Sequence, residues 1–400
     1  MANVALLTMK NFQFRRAIPS IALLLFLGAV QPSIAKTPDL EITANFPGGN
    51  IKVDSIVGTT VYLRPDIRDT TREWFYWYFA ARSSRTTVVK FVFNRPNCVS
   101  RIGPAVSTDK GKNWEWLQKA PQNQNEFEYK VSAGKETRFS VAMPYLETNL
   151  KTFLKTYKKN KSLKSEVLCT TKKGRPIEKL VLSEGVVTQK PTILFTARHH
   201  ACEMMANYVM EGMISTLLTK DSAMQRLLRD AQFVFVPFMD KDGVEDGDQG
   251  KDRYPHDHNR DYGNTSIHES PRALREQFPT NLLAAIDLHC PMLRGRDNET
   301  VYFITPNKNP LKDQHYRYFK ELIEQGKGTL IPSLEDLHMA SGEYPNGTPF
   351  LGWATKIPGI QFASTLEVPY AVHKGTAVTP ENLRLLGKDM MFALSRLLAR

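Results

Sequence analysis

Hydrophobic and polar positions fall into two regimes along this chain. From Leu40 to about Pro144, short runs of β-branched and aromatic residues are broken by turn-forming ones. Segments 51–57, 60–63, 74–80 and 87–93 read as strands. Turn chemistry stands at 45–50, 109–113 and 122–125, and 127–131 with 137–142 read as a closing pair around Ser132 to Lys135. Two facing sheets bury the inward sides that one such sheet leaves wet, so the pattern predicts a small β-sandwich. Past Pro144 the periodicity changes. Residues 145–157 read as a helix, followed by a lysine-rich loop. A short apolar strand at 192–196 leads into a segment beginning at Arg198, and 203–218 has helix length and strong helix formers. Further strands are predicted at 232–237, 284–288, 301–305 and 361–366, and helices at 310–324 and 380–398. The last has Thr379 as cap and Pro380 at the first helical position. Strands alternating with helices imply an α/β sheet covered on both faces.

The first 35 residues stand apart from this pattern. Arg15 and Arg16 precede an apolar run at 18–30, and Ser33-Ile34-Ala35 offers small residues for cleavage. The run is short for a membrane span, and no later segment is long and apolar enough to be one. The expectation is a cleaved signal peptide over 1–35 and export to the periplasm or the extracellular space; an uncleaved amino-terminal anchor is the alternative. A β-sandwich domain over 36–144 and a second domain over 145–400 complete the expected organisation.

Composition adds little to fold but bears on partners. The 400 residues carry a formal charge of +12, partly clustered at 155–164 and at Lys172, Lys173 and Arg175. Such a surface attracts nucleic acid, acidic peptides or an anionic envelope, or is simply solvated. There is no zinc finger or other nucleic-acid module, so no nucleic-acid partner is expected. The four cysteines, Cys98, Cys169, Cys202 and Cys290, are too few for a disulfide scaffold. Cys202 and Cys290 each flank a candidate ligand, which leaves open either a disulfide after export or two buried thiols.

Candidate chemistry is sharpest in Arg198-His199-His200-Ala201-Cys202-Glu203. His200 and Glu203, three apart between a buried strand and a helix, can aim an imidazole and a carboxylate at one point. His199 is the competing ligand. His289 ends another predicted strand and supplies a third donor, completing the three protein ligands and open position of a catalytic zinc. Asp287, two residues earlier, is placed to orient it. Strand-end placement of all three agrees with ligand binding at the carboxyl ends of open α/β sheets. Glu367 ends a further strand and is the candidate general base. Asn259 and Arg260 offer a planar donor set for a carboxylate, and Arg253 a cation for a tetrahedral oxyanion. The acidic, glycine-rich stretch 240–247 lacks the ligand order of an EF-hand calcium loop.

These residues, in this order, resemble the zinc metallocarboxypeptidase superfamily, and most of all the branch of the cytosolic carboxypeptidases, which carries a β-rich domain ahead of the peptidase domain. The resemblance runs through Trp74 to Phe79, Gly103 to Ser107, Trp114 and Pro144-Tyr145, then through 197–203, 237–243, Asn259-Arg260, Asp287 to His289 and Thr365 to Glu367. It implies an α/β/α sandwich around a mixed sheet, preceded by the β-sandwich domain. It implies one Zn2+ per chain on His200, Glu203 and His289, with Glu367 catalytic, Arg253 stabilising the oxyanion, and Asn259 and Arg260 holding the terminal carboxylate. Tyr344 matches the mobile tyrosine that closes over substrate. Departures occur at Asp240 and Lys241, where the family has asparagine and proline, at Cys290-Pro291 after the third ligand, and in the short distance from Arg253 to Asn259. Specificity for tubulin or polyglutamate is therefore not carried over, and the export signal argues against a cytosolic substrate.

The reading is hydrolysis of a carboxy-terminal peptide or isopeptide bond, with a peptide-like partner bearing a free terminal carboxylate. Amidase action on cell-wall peptide or another non-protein amide is the alternative within enzymes, and a catalytically silent zinc-binding scaffold the alternative outside them. Retention of Glu367 beside a full ligand set argues against the scaffold. Oligomeric state is not written in the sequence.

Overall fold

Short apolar runs pair into sheets in the first part of the chain, as the alternation predicts. A computed structural model describes residues 39–119, 123–185, 190–278, 280–295, 297–307, 311–340 and 347–398. The leader expected over 1–35 lies outside these residues, as does Tyr344. Nine strands run β1 (Leu40–Thr43), β2 (Lys52–Val57), β3 (Thr60–Arg64), β4 (Tyr78–Ser83), β5 (Thr87–Phe93), β6 (Ala105–Ser107), β7 (Glu115–Trp116), β8 (Glu126–Val131) and β9 (Thr137–Ser140). They form a five-stranded sheet, β1-β4-β9-β6-β7, and a four-stranded sheet, β2-β3-β5-β8. Phe79 and Phe139 of the first meet Phe91 and Phe127 of the second at ring-centroid distances of 5.0 to 5.4 Å. The two sheets thus share one aromatic filling. One expected strand begins late: residues 74–77 precede β4. There the Tyr76 backbone bonds the side chain of Gln249, through N to Oε1 at 2.9 Å and O from Nε2 at 2.9 Å, instead of a neighbouring strand.

The rest of the chain alternates helix and strand. It runs α1 (Glu147–Thr156), β10 (Leu163–Thr170), β11 (Pro176–Leu182), β12 (Thr192–Ala197), α2 (Ala206–Leu217), α3 (Ser222–Asp230) and β13 (Gln232–Val236). There follow α4 (Lys241–Asp246), α5 (Glu269–Gln277), β14 (Leu282–His289), β15 (Tyr302–Thr305), α6 (Leu311–Gln325) and β16 (Leu337–Met339). The chain closes with α7 (Phe350–Ala354), β17 (Phe362–Glu367) and α8 (Pro380–Leu398). Eight strands make one mixed sheet, β10-β11-β13-β12-β14-β17-β15-β16, with a parallel centre from β13 to β17. Antiparallel pairs join β11 to β13 and β15 to β17.

Alternate residues of the central strands separate two apolar cores. Ile193, Phe195, Phe233, Phe235, Ile286 and Leu366 pack with α2, α3, α6 and α8. Leu194, Val234, Ala285 and Ala363 pack with α5 and α7 on the other face. That is the expected layering of helices around a mixed sheet, behind a β-rich region. The first core also includes Trp77, Phe91 and Phe139, so the β-sandwich and the α/β part share it. The lysine-rich loop is present at 157–162, but it runs into the β10–β11 hairpin, which the sequence pattern does not announce, for a physical reason. β10 is an edge strand with only Leu168 buried, so it shows no apolar alternation.

Lys241 has a structural role. Its side chain is 0% exposed, and Nζ donates to Glu147 Oε1 at 2.7 Å and to the Pro176 carbonyl at 2.8 Å, with Glu178 as a further partner. One ammonium thereby ties α4 to α1 and β11. Lys241→Met leaves two partly buried carboxylates without it and is expected to destabilise the fold by about 3 kcal/mol. Urea unfolding with an unchanged m-value tests this; a loss below about 1 kcal/mol would show that solvent replaces the ammonium.

Candidate metal centre and active-site cavity

The parallel centre of the sheet sets the site. β13 lies on one side of β12, and β14 and β17 on the other. The order reverses beside β12, which opens a crevice at the carboxyl ends of the strands. β12 ends at Ala197, β14 at His289 and β17 at Glu367, with His289 and Glu367 directly paired in register. The sharp turn after β12 begins with Arg198 at φ 61°, an uncommon value for a residue with a side chain. Its fully buried guanidinium donates to the carbonyls of Ala201 and Tyr145 and to Asn207 Oδ1, at 3.0, 2.8 and 3.0 Å. Those bonds hold the turn that carries His199, His200 and Glu203. α2 begins only at Ala206, so His200 and Glu203 belong to the turn and not to a helical face.

His200 Nδ1 stands 3.0 Å from Glu203 Oε1, and Glu203 Oε2 stands 2.7 Å from His289 Nδ1. One donor atom from each of the three lies within 4.8 Å of the others. The donor atoms of a second cluster, His199, Asp287 and His289, also lie within 4.8 Å of one another. It is already closed: His199 Nδ1 meets Asp287 Oδ1 at 2.8 Å, Nε2 meets the Tyr262 hydroxyl at 2.7 Å, and Thr196 donates to Asp287 at 2.7 Å. His200, Glu203 and His289 line a cavity of about 540 Å³, whereas neither His199 nor Asp287 does. A larger cavity of about 890 Å³, at the opposite strand ends beside Pro191, Leu283 and Phe362, has no histidine, cysteine or glutamate among its described lining residues.

Two aspartates orient the imidazoles. Asp287 Oδ2 is 2.5 Å from His289 Nε2, as its position two residues away suggests. Asp257, which spacing did not single out, lies 3.5 Å from His200 Nε2. Each ring is thus addressed at both nitrogens, the arrangement that fixes tautomer and direction in histidine metal ligands. Glu367 lines the same cavity, and its Oε2 is buried without a hydrogen-bond partner. Burial pushes its carboxyl up to about 7, with Glu203 adding to the rise and His289 and Lys251 opposing it. Two imidazoles and a carboxylate facing an orphaned carboxylate oxygen across an open cavity suit zinc with a free coordination position.

Asn259 and Arg260 also line the cavity. The Asn259 side chain accepts from Phe350 N at 3.1 Å, which leaves its amide group facing His289 at 3.4 Å. Arg260 donates to the Asn259 carbonyl at 3.5 Å and makes no close ion pair among the described residues, although its charge is felt by the Asp257 carboxylate. Arg253 is elsewhere. Its guanidinium meets Asp240 at 2.7 Å, Asp248 at 3.2 Å and Asp69 at 3.4 Å, and it is not among the residues lining the cavity. Asp240 thus gives this arginine an anionic partner away from the ligands. Lys251 lines the cavity instead, with Nζ 2.7 Å from Glu203 Oε1. Only its neighbourhood in sequence, not its spacing, hinted at it. Cys202 and Cys290 are both buried free thiols, which answers the pairing question in favour of thiols for this structure. Cys202 Sγ lies 3.5 Å from the Tyr370 hydroxyl.

Several known proteins resemble this chain in sequence or fold. A sequence profile of the zinc carboxypeptidase family matches residues 150–281. A metallo-carboxypeptidase from Burkholderia cenocepacia superposes with a TM-score of 0.76 at 20% identity, over 90% of this chain and 99% of that one. A metallo-carboxypeptidase from Pseudomonas aeruginosa, solved with (2-guanidinoethylmercapto)succinic acid, gives 0.72 at 22% identity over 90% and 99%. Among sequence relatives, an uncharacterized protein of Zymomonas mobilis is 23% identical over 387 residues, 90% of this chain and 97% of that one. Cytosolic carboxypeptidase 6 of Caenorhabditis elegans is 24% identical over 286 residues, 63% of this chain and 62% of that one. The chain has the zinc carboxypeptidase superfamily fold behind an N-terminal β-region. Its clustered metal-ligand site fits a hydrolase of the metallocarboxypeptidase kind.

Proposed function

We propose that this protein is a zinc-dependent carboxypeptidase, cleaving a peptide or isopeptide bond beside a free terminal carboxylate, with one zinc held by His200, Glu203 and His289. The observation that carries the reading is a single cavity lined by that donor set, by Glu367 with its unpartnered Oε2, and by an Arg260 held in no close ion pair. A metal store needs neither of the last two. Zinc bound there would polarise the scissile carbonyl and make a water more acidic. Glu367 takes the proton from the attacking water and returns it to the leaving nitrogen. Asp257 and Asp287 keep His200 and His289 turned toward their ligand.

Arg260, assisted by Asn259, receives the terminal carboxylate. Such an ion-assisted pair fixes which end of a chain enters, which separates carboxypeptidase from internal cleavage. The resemblance to cytosolic carboxypeptidases supports placement in a branch with a β-domain ahead of the peptidase domain. No helix among the described residues is long and apolar enough to cross a membrane, and export to the periplasm or outside the cell rests on the leader-like segment.

Arg260→Ala is expected to raise KM for substrates with a free carboxy-terminus by about 10–100-fold, the value of a hydrogen bond to a charged group. Paired kinetics with a matched amidated peptide read the role. Equal penalties on both substrates would show that Arg260 does not recognise the carboxylate.

A further inference from the structure

The carboxypeptidase reading leaves one requirement unfilled. Addition of water to the scissile carbonyl forms a C–O bond as the C=O pair moves onto oxygen; Glu367 takes the water's proton and delivers it to nitrogen as the C–N bond breaks. The oxygen carries negative charge in between, and a fixed cationic side chain beside it would add to the stabilisation that zinc would supply. Arg253 is spent on Asp240, Asp248 and Asp69, and Arg260 is assigned to the terminal carboxylate. Among the described residues lining the cavity, Lys251 is the remaining lysine or arginine.

We propose that Lys251 is the oxyanion-binding cation and that the N-terminal β-sandwich is part of the active site because it holds Lys251 there. The ammonium has three N–H donors. Glu203 Oε1 takes one at 2.7 Å and the Cys290 carbonyl another at 3.0 Å, which leaves one for the cavity. Nζ also lies 4.7 Å from the centre of the Trp74 ring, at cation–π distance. Both Trp74 and Lys251 line the cavity wall.

The loop that carries Lys251 is bound from two sides. On the sandwich side, Asp69 accepts from the backbone N of Gln249 at 3.0 Å and of Gly250 at 2.9 Å. Tyr76 brackets the Gln249 side chain, and Trp74 Nε1 donates to Asp252 Oδ2 at 3.1 Å. On the other side, Cys202 N donates to the Gln249 carbonyl at 3.1 Å. Gly250, at φ +79°, lies so close to the ligand turn that an added Cβ would stand 2.1 Å from Ala201 N. The loop is therefore wedged between the β-region and the turn bearing His200 and Glu203. Tyr76 thereby gives its backbone groups to this loop instead of to a neighbouring strand.

The test uses Lys251→Met and Trp74→Leu in the full-length protein, with zinc content, steady-state kinetics and calorimetry. The calorimetric probe is a peptide phosphonate whose tetrahedral phosphorus replaces the scissile carbon; the product amino acid serves as ground-state control. Lys251→Met is expected to retain zinc, to lose about 10²–10³-fold in kcat with little change in KM, and to lose phosphonate affinity but not product affinity. Trp74, a positioning residue, is expected to show the same phosphonate-selective loss at about 10-fold. Should Lys251→Met fail to fold, Trp74→Leu alone decides by that signature. Turnover within threefold of the parent, or equal loss of phosphonate and product binding, would overturn the proposal while leaving the carboxypeptidase reading intact. A zinc-loaded parent that neither trims peptides nor binds the phosphonate would overturn both.

Discussion

Glu367→Gln is expected to fold normally, to keep its zinc and to lose about 10²–10⁴-fold in kcat, the range contributed by a positioned general base. The substitution nearly preserves shape but removes the group that accepts a proton. Its neighbours make the separation clean. Glu367 is paired by backbone with His289 in the sheet and is not one of the three clustered donors. Its Oε2 has no hydrogen-bond partner, so no protein contact is broken at that atom. Metal analysis and single-turnover kinetics on the same preparation test the division of roles. Near-parental turnover by zinc-loaded Glu367→Gln would remove Glu367 from the chemistry.

The second large effect concerns the metal. His200→Ala and His289→Ala should each lose nearly all bound zinc, because a three-ligand site stripped of one donor no longer holds the ion. His199→Ala should still bind it, weakened by at most about 10–100-fold, since His199 supports the site by fixing Asp287, which in turn orients His289, and by stacking on the His289 ring at 5.9 Å. The two donor clusters share His289, so loss of zinc in that variant alone does not separate them. The comparison of His199→Ala with His200→Ala does. Zinc retained without His200 but lost without His199 would place the ion in the closed cluster.

Much of this was legible in the sequence, for identifiable reasons. Strands buried on both faces, such as Thr192–Ala197 and Phe362–Glu367, announce themselves as apolar runs whatever their neighbours. The candidate ligands stand at or just beyond such strand ends, so finding the strands located the chemistry. What sequence missed depended on tertiary partners. β10 is an exposed edge with a polar surface, and its pairing with β11 leaves no period. Arg253 and Lys251 are two residues apart on one loop; which enters the cavity is decided by Asp69, Asp240 and Asp248, distant in sequence from one another or from the ligands. The same applies to residues 74–77, whose aromatic run reads as a strand although Gln249 takes the backbone bonds of Tyr76 at its middle. Asp257 illustrates a different limit: a carboxylate beside an imidazole is a matter of distance, and its place in a histidine-rich stretch gave no sign of which histidine it would face.

The central claim is zinc-dependent removal of residues from a free carboxy-terminus. Mass spectrometry of a defined peptide incubated with the full-length protein tests it most directly, with parallel reactions on the amidated peptide and on enzyme treated with a zinc chelator. The account predicts products shortened from the carboxy-terminus one residue at a time, none from the amidated peptide, none after chelation, and recovery when zinc is returned. Internal cleavage, equal trimming of the amidated peptide, or chelator-insensitive hydrolysis would contradict it.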